Sequence, residues 1–381
     1  MKRSEDSCMS YENNEPNKVN DMEKTADMAD PNAIVTFLKK QLNKLFKGDR
    51  EPGEPKISFV VFYAPHNTAK DFEKLGDLLP EADVYIPESP GAVKSNLFLY
   101  EKVSNGKLTP KEAIKMMQDV YGQQDGPLYV IIEEEFKQLH NKNKHIFIAD
   151  DPNFDLPSGK IDLLLDNFEK ELAQVKKSMK KFAEVQKIRE DFMLNQLNEP
   201  LKKFITSRTD LKNKKEVKVL LQLGSFHTRV FLKLREKNSA RREFSTYPYV
   251  YSFYSETRRA HVFGKEVDDD LAAKAYFDLV VTKFFKKDFE SISDDTAKIG
   301  LLKRNIIEQF NYDEIKQLHD LLKESTNYPK TVINFLSTKN ITLPRDEKGM
   351  DAMIDEWKER HKVKLKPPES HSGDHSAYDS V

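Results

Sequence analysis

The chain has 381 residues, of which 62 are basic and 63 acidic, 38% hydrophobic and 33% charged, with one cysteine. The near-zero net charge gives no global pull toward nucleic acid or an anionic membrane. A single cysteine excludes a disulfide framework within the chain and argues against a cysteine-based metal site. The apolar share is low for a chain that packs throughout, so part of the sequence is expected to be solvated.

Residues 1–31 are polar with almost no aliphatic side chains and read as a disordered tail. They contain no apolar stretch typical of a signal peptide. No run of about 20 apolar residues exists to span a membrane, so the expected location is cytoplasmic. From Asn32 the pattern changes. Ile34, Leu38, Leu42 and Leu45 recur at helical spacing. A break at Gly48–Pro55 precedes Ile57–Tyr63 (ISFVVFY), whose β-branched and aromatic density predicts a buried strand. Thr68–Leu79 is predicted helical and Asp83–Ile86 a second strand, which makes 57–88 a strand–helix–strand unit and favours a parallel sheet.

Thr109 and Glu112 have the spacing of a capping box, opening a helix that runs to Tyr121. Leu128–Leu139 is predicted helical and His145–Ala149 a third strand. Ser158–Leu197 is the longest periodic segment, one long helix or two stacked ones. Val217–Leu223 (VKVLLQL) is a fourth strand, with a helix over His227–Arg235. Tyr247–Tyr254 (YPYVYSFY) reads as an edge strand or as an aromatic cover over a pocket. Asp268–Phe285 is helical. Beyond 290 only helical patterns occur, over Thr296–Gln309, Tyr312–Glu324, Lys330–Ser337 and Met350–Arg360. The expected organisation is a disordered tail over 1–31, an α/β core over 32–290 with a mainly parallel sheet flanked by helices, a helical segment over 291–362, and a second disordered tail over 363–381.

Parallel sheets collect working groups at the carboxyl ends of their strands. Those positions hold Ala64-Pro65-His66-Asn67, Pro87-Glu88, Asp150-Asp151-Pro152 and Gly224-Ser225-Phe226-His227. Imidazoles and carboxylates on one rim can hold a divalent metal ion or activate water. Turn and cap chemistry explains the same residues without a site. Asp150 and Asp151 fit either a supporting acid or a turn, and His145 fits a rim position. Glu133–Glu135 and the lysine runs Lys176–Lys181 and Lys212–Lys215 read as solvated faces. The 13 glycines form no phosphate-cradling loop.

His66 after the first strand, Glu88 after the second, Arg189-x-x-x-Met193 (REDFM) on a long helix and Gly224-x-x-His227 (GSFH) after a late strand follow one another in an order that resembles a known superfamily. It groups the erythromycin esterase-like, TraB/GumN-like, ChaN-like and TIKI-type proteins. LPEADVYIPES and KVLLQLGSFHTRVFLKLREKN look like its helix-to-strand and strand-to-helix passages, and the similarity covers about residues 57–240. The resemblance implies a hydrolase acting on an ester or amide bond of a small-molecule or peptide substrate. His66 and His227 would then be ligands or bases, Glu88 a proton acceptor, and Arg189 a support for a carboxylate or a developing oxyanion. It also implies His66, Glu88 and His227 as ligands of a divalent metal ion. The sequence departs from the pattern at Tyr63 and Ala64, where the family carries Gly followed by Thr or Glu, and at Val230, where a further histidine is usual. The alternative is therefore a catalytically inactive interaction or ligand-binding protein on the same scaffold, with the C-terminal helices as a surface for a protein partner.

Overall fold

The computed structural model describes residues 54–64, 72–88, 93–121, 127–151, 163, 165–224, 226–245 and 252–361. Both expected tails, the helical pattern at 34–46 and His66 lie outside the described residues. Among the described residues the fold is α/β, built on a five-stranded, all-parallel sheet.

Along the chain come β1 (Lys56–Tyr63), α1 (Leu75–Leu78), β2 (Val84–Ile86), α2 (Val93–Ser104), α3 (Pro110–Tyr121), α4 (Pro127–Leu139) and β3 (His145–Ile146). There follow α5 (Phe168–Gln196), α6 (Glu199–Thr206), α7 (Thr209–Lys212), β4 (Glu216–Leu223), α8 (Thr228–Lys237) and β5 (Ser239–Phe244). The remainder is helical: α9 (Phe253–Val262), α10 (Asp269–Ile292), α11 (Thr296–Ile307), α12 (Tyr312–Glu324), α13 (Tyr328–Ser337) and α14 (Glu347–His361).

The strand order is β3-β2-β4-β1-β5. The strand–helix–strand unit therefore does not place β1 beside β2. Both pair with β4 instead, Tyr63 opposite Leu223 and Ile86 opposite Leu221. Central strands of a parallel sheet are covered on both faces, which explains the nearly continuous apolar runs of β1 and β4. On one face Phe59, Val61, Val219 and Leu221 pack with Met193 of α5, Leu201 of α6 and Phe231 of α8. On the other, Phe62, Tyr85 and Leu220 pack with Leu75 of α1, Val103 of α2, Ala113 of α3 and Phe136 of α4. Full burial of each such side chain contributes roughly 1.5–3 kcal/mol.

Two expectations fail for identifiable reasons. One edge strand is Ser239–Phe244; of the aromatic run at 247–254, residues 247–251 lie outside the described residues, and Phe253 and Tyr254 begin α9. β5 (SARREF) pairs on one side with β1, and an edge strand carries charge in place of apolar bulk. Third-strand pairing is limited to His145–Ile146, shorter than the apolar run to Ala149. The capping box is present: Thr109 Oγ1 accepts from the Glu112 backbone N–H at 3.3 Å, and Glu112 accepts from the Thr109 N–H at 2.8 Å.

The N-terminal part of α5 leaves the sheet and joins a helical cluster. Phe168, Leu172 and Val175 pack there with Tyr276, Phe277 and Val281 of α10, Leu302 of α11, Leu318 of α12, Phe335 of α13 and Trp357 of α14. Side-chain caps fix these starts: Asp268, Asp295, Asn311 and Asn327 each accept from backbone N–H groups of the first turn. No helix among the described residues is long and apolar enough to cross a membrane.

Candidate active site

Glu88 follows β2 by two residues, Asp150 lies just beyond β3, and His227 sits between β4 and α8. All three stand at the carboxyl edge of the sheet. The fourth contributor is α5, whose Gln186, Arg189, Glu190 and Met193 fall at helical steps of three and four and are all buried. Met193 packs on the sheet, and the three polar residues meet the strand ends.

Arg189 is the hub. Its Nε donates to Asp150 Oδ1 at 2.8 Å and its Nη2 to Asp150 Oδ2 at 2.6 Å, a two-pronged pairing that matches guanidinium to carboxylate. Nη2 also donates to Glu88 Oε1 at 2.8 Å. The second Glu88 oxygen accepts from the Gly224 backbone N–H, which ties the ends of β2 and β4 together. His227 lies 5% exposed, its Nδ1 3.1 Å from Glu190 Oε1 and its Nε2 3.4 Å from Glu88 Oε1. Gln186 Nε2 holds the pair in place, donating to Glu190 Oε1 and to the Phe226 carbonyl, each at 2.7 Å. Arg229 Nη1 approaches Glu190 Oε2 at 3.6 Å.

The proton count follows from these contacts. Arg189 Nη1 stands 3.3 Å from His227 Nε2, an arrangement that is a hydrogen bond only if the imidazole is neutral, because a guanidinium has no acceptor. The approach of the same Nε2 to Glu88 is a hydrogen bond only if it carries hydrogen. Charge decides between them. Three buried carboxylates, Glu88, Asp150 and Glu190, face the guanidinium of Arg189, while Arg229 bonds Asp191 at 2.6 Å and only approaches Glu190, so an imidazolium offsets part of the excess negative charge. Burial alone drives His227 toward its uncharged form. Glu88 and Glu190 outweigh that effect and raise its pKa from 6.5 to about 9. Burial likewise opposes the charge on Arg189, and Asp150 and Glu88 overcome it, raising its pKa above the ordinary value.

Glu88, Arg189 and His227 are thus brought together at the carboxyl edge of the sheet. Asp150 joins them through Arg189, while Asp151 donates its backbone N–H to Asp150 at 2.9 Å. His145 belongs elsewhere, with its Nε2 2.6 Å from Asp210 Oδ2 at the opposite end of β3. Glu190 and Gln186 were missed by the sequence reading. The available signal was the four-residue step from Gln186 to Glu190 and the three-residue step from Glu190 to Met193, which put them on the buried side of the helix.

The expected solvated run Glu133–Glu135 requires a correction. Glu134 reaches Lys137, whereas Glu135 is 3% exposed and accepts from Tyr85 at 2.5 Å and from Tyr100 at 3.0 Å on the other face of the sheet. Gln222 also bonds the Tyr85 hydroxyl. That hydroxyl has one hydrogen, which points at two acceptors, Glu135 Oε1 and Gln222 Oε1. Burial, then Glu135, pushes the pKa of both tyrosines well up.

His66, Glu88 and His227 were the expected ligands of a divalent metal ion, and of these His66 lies outside the described residues. Among the described residues no group of three or more histidine, aspartate, glutamate or cysteine side chains is arranged to hold one. The donors that do converge are already turned onto a fixed cation. A dication about 4 Å from a guanidinium is repelled by roughly 8 kcal/mol even at an effective dielectric constant near 20. These residues, as arranged, do not fit a metal.

A cleft of about 230 Å³ opens at the amino-terminal edge of the sheet, lined in part by Ser58, Val60, Leu220, Ser239 and Arg241. Among the described residues, Glu88, Arg189 and His227 do not border it. Comparison of the chain with protein-family models, with curated proteins and with solved structures finds no match.

Proposed function

We propose that the chain is a hydrolase of an ester or amide bond, with Glu88 as the proton acceptor for water and His227 as the proton donor to the leaving group. The observation that carries this reading is the meeting of three residues far apart in sequence, Glu88, Arg189 and His227, at the carboxyl edge of a parallel sheet, in the chain order of the superfamily the sequence resembles. In this scheme Glu88 takes a proton from water, the hydroxide adds to the substrate carbonyl, and His227 protonates the departing oxygen or nitrogen. The proton on Glu88 returns to His227 Nε2 across the 3.4 Å between them, so the cycle closes without another reagent. Glu190 keeps the second imidazole hydrogen on Nδ1 and so leaves Nε2 to work. Arg189 pairs with Glu88 and fixes its position.

The test is hydrolysis of a panel of aryl esters, aryl amides and short peptides by the full chain. Glu88→Gln and His227→Asn, each verified as folded, are expected to lower kcat/KM at least 100-fold. Turnover that survives both substitutions, or no turnover of any member of the panel, removes the hydrolase reading.

A second reading is a binding protein on the same scaffold. Leu321 of α12 and Tyr328 and Ile333 of α13 are large apolar side chains on neighbouring helices and are 50%, 38% and 48% exposed. Exposed apolar side chains of this kind offer contact points for a protein partner. On this reading Leu321→Glu with Ile333→Glu abolishes the association, while Glu88→Gln leaves it intact.

A further inference from the structure

We infer that Arg189 is the resident cation of this cluster, and that the cluster is built to work without a divalent metal. The inference concerns the residues of the hydrolytic reading but does not depend on any reaction taking place.

Metal sites gather two carboxylates and an imidazole around one positive centre. Here Glu88, Asp150 and His227 gather around one guanidinium, with donor–acceptor distances of 2.8 Å to Glu88 and 2.6 and 2.8 Å to Asp150 and an approach of 3.3 Å to His227. The guanidinium is 6% exposed by residue and enters from a rigid helix, so it does not swing aside as a surface arginine does. The oxygens a metal would use are already engaged, each accepting at least one hydrogen bond. Both Asp150 oxygens accept from Arg189, one Glu88 oxygen accepts from Arg189, and the other accepts from Gly224 N–H. His227 has Nδ1 committed to Glu190. A metal at this position requires removal of an existing positive charge, the guanidinium that pairs with both Asp150 and Glu88.

Removing that charge turns the cluster into a metal site in waiting. Arg189→Met keeps much of the side-chain volume and leaves two buried carboxylates and an imidazole facing one another. The full chain and the variant are titrated calorimetrically with Zn²⁺ and with Mn²⁺, and their metal content is measured after purification. The wild type is expected to carry no stoichiometric metal and to show no binding that Glu88→Gln removes. The variant is expected to gain at least 100-fold in affinity for one of the two ions. Where the variant is too unstable to titrate, its melting temperature is read with and without metal, and a rise on metal addition is the same result. Stoichiometric metal in the wild type that is lost in Glu88→Gln overturns the inference, and so does a folded Arg189→Met that neither binds nor is stabilised by either ion. Both readouts report binding, so a failure to find hydrolysis leaves them unaffected.

Discussion

Arg189 holds Asp150 with two N–H groups, Nε at 2.8 Å and Nη2 at 2.6 Å, and the two residues stand 39 positions apart in the chain. The pairing joins a helix that spans both halves of the fold to the end of the shortest strand. Its loss costs more than a contact. Arg189→Ala strands two buried carboxylates, and breaking one partner of a buried pair costs about 3–5 kcal/mol. Urea unfolding is expected to show that loss, and adding Asp150→Asn to it is expected to restore part of the stability. An exposed, dispensable arginine would give a change within about 0.5 kcal/mol.

The imidazolium at His227 makes stability depend on pH in a defined direction. Its folded pKa of about 9 lies above the ordinary 6.5, so the folded state binds the proton more tightly than the unfolded chain does. The contribution is fully present below pH 6.5 and is lost as the pH rises through 9. A shift of this size corresponds to on the order of 3 kcal/mol. Thermal melts between pH 6 and pH 10 should fall accordingly for the wild type, and the fall should flatten in His227→Asn. Equal slopes in the two proteins would show that His227 is not the titrating group.

Tyr85 supplies a test on the opposite face of the sheet. Tyr85→Phe removes one hydroxyl and leaves Glu135 and Gln222 each short of a buried bond. A loss of about 1–3 kcal/mol is expected. Tyr85→Phe and Tyr100→Phe with Glu135→Leu should recover part of it, since replacing a buried acceptor together with both of its donors by apolar groups approaches neutrality. Failure of this triple variant to recover would show that the three groups do not act as one hydrogen-bonded unit.

The helices beyond residue 292 pack into the same apolar cluster as α5 and α10. A chain ending at Ile292 would expose Phe277, Val281 and Phe285, which are at most 3% exposed. Loss of the near-ultraviolet signal and gain of dye binding are expected. An unchanged melting temperature after truncation would instead mark α11–α14 as a separate unit.

Elements with strong apolar patterning were legible before any coordinates. β1 and β4 announced themselves through β-branched runs, the Thr109–Glu112 cap through its spacing, and the last four helices through their periodicity. β5 was not legible, because an edge strand of Ser, Ala, Arg and Glu has no alternation to read. Glu135 was hidden for a related reason. Three consecutive glutamates look solvated, and only the positions of Tyr85 and Tyr100, set by sheet and helix packing, single out the third. Of the site, Glu88, Arg189 and His227 were named from chain order. Glu190 was overlooked because a charged neighbour on a long charged helix carries no mark of burial.

The sheet order has a consequence for how this protein comes into being on the ribosome. β1 and β2 have no partner in each other, and the strand that joins them is made only after the chain from Ala64 through Lys215 has been synthesised. At ~5–20 residues per second that interval is on the order of 10 s. Until Glu216–Leu223 emerges, ISFVVFY is a nascent strand with two unclaimed edges, and the newborn polypeptide is in that window a client for chaperones.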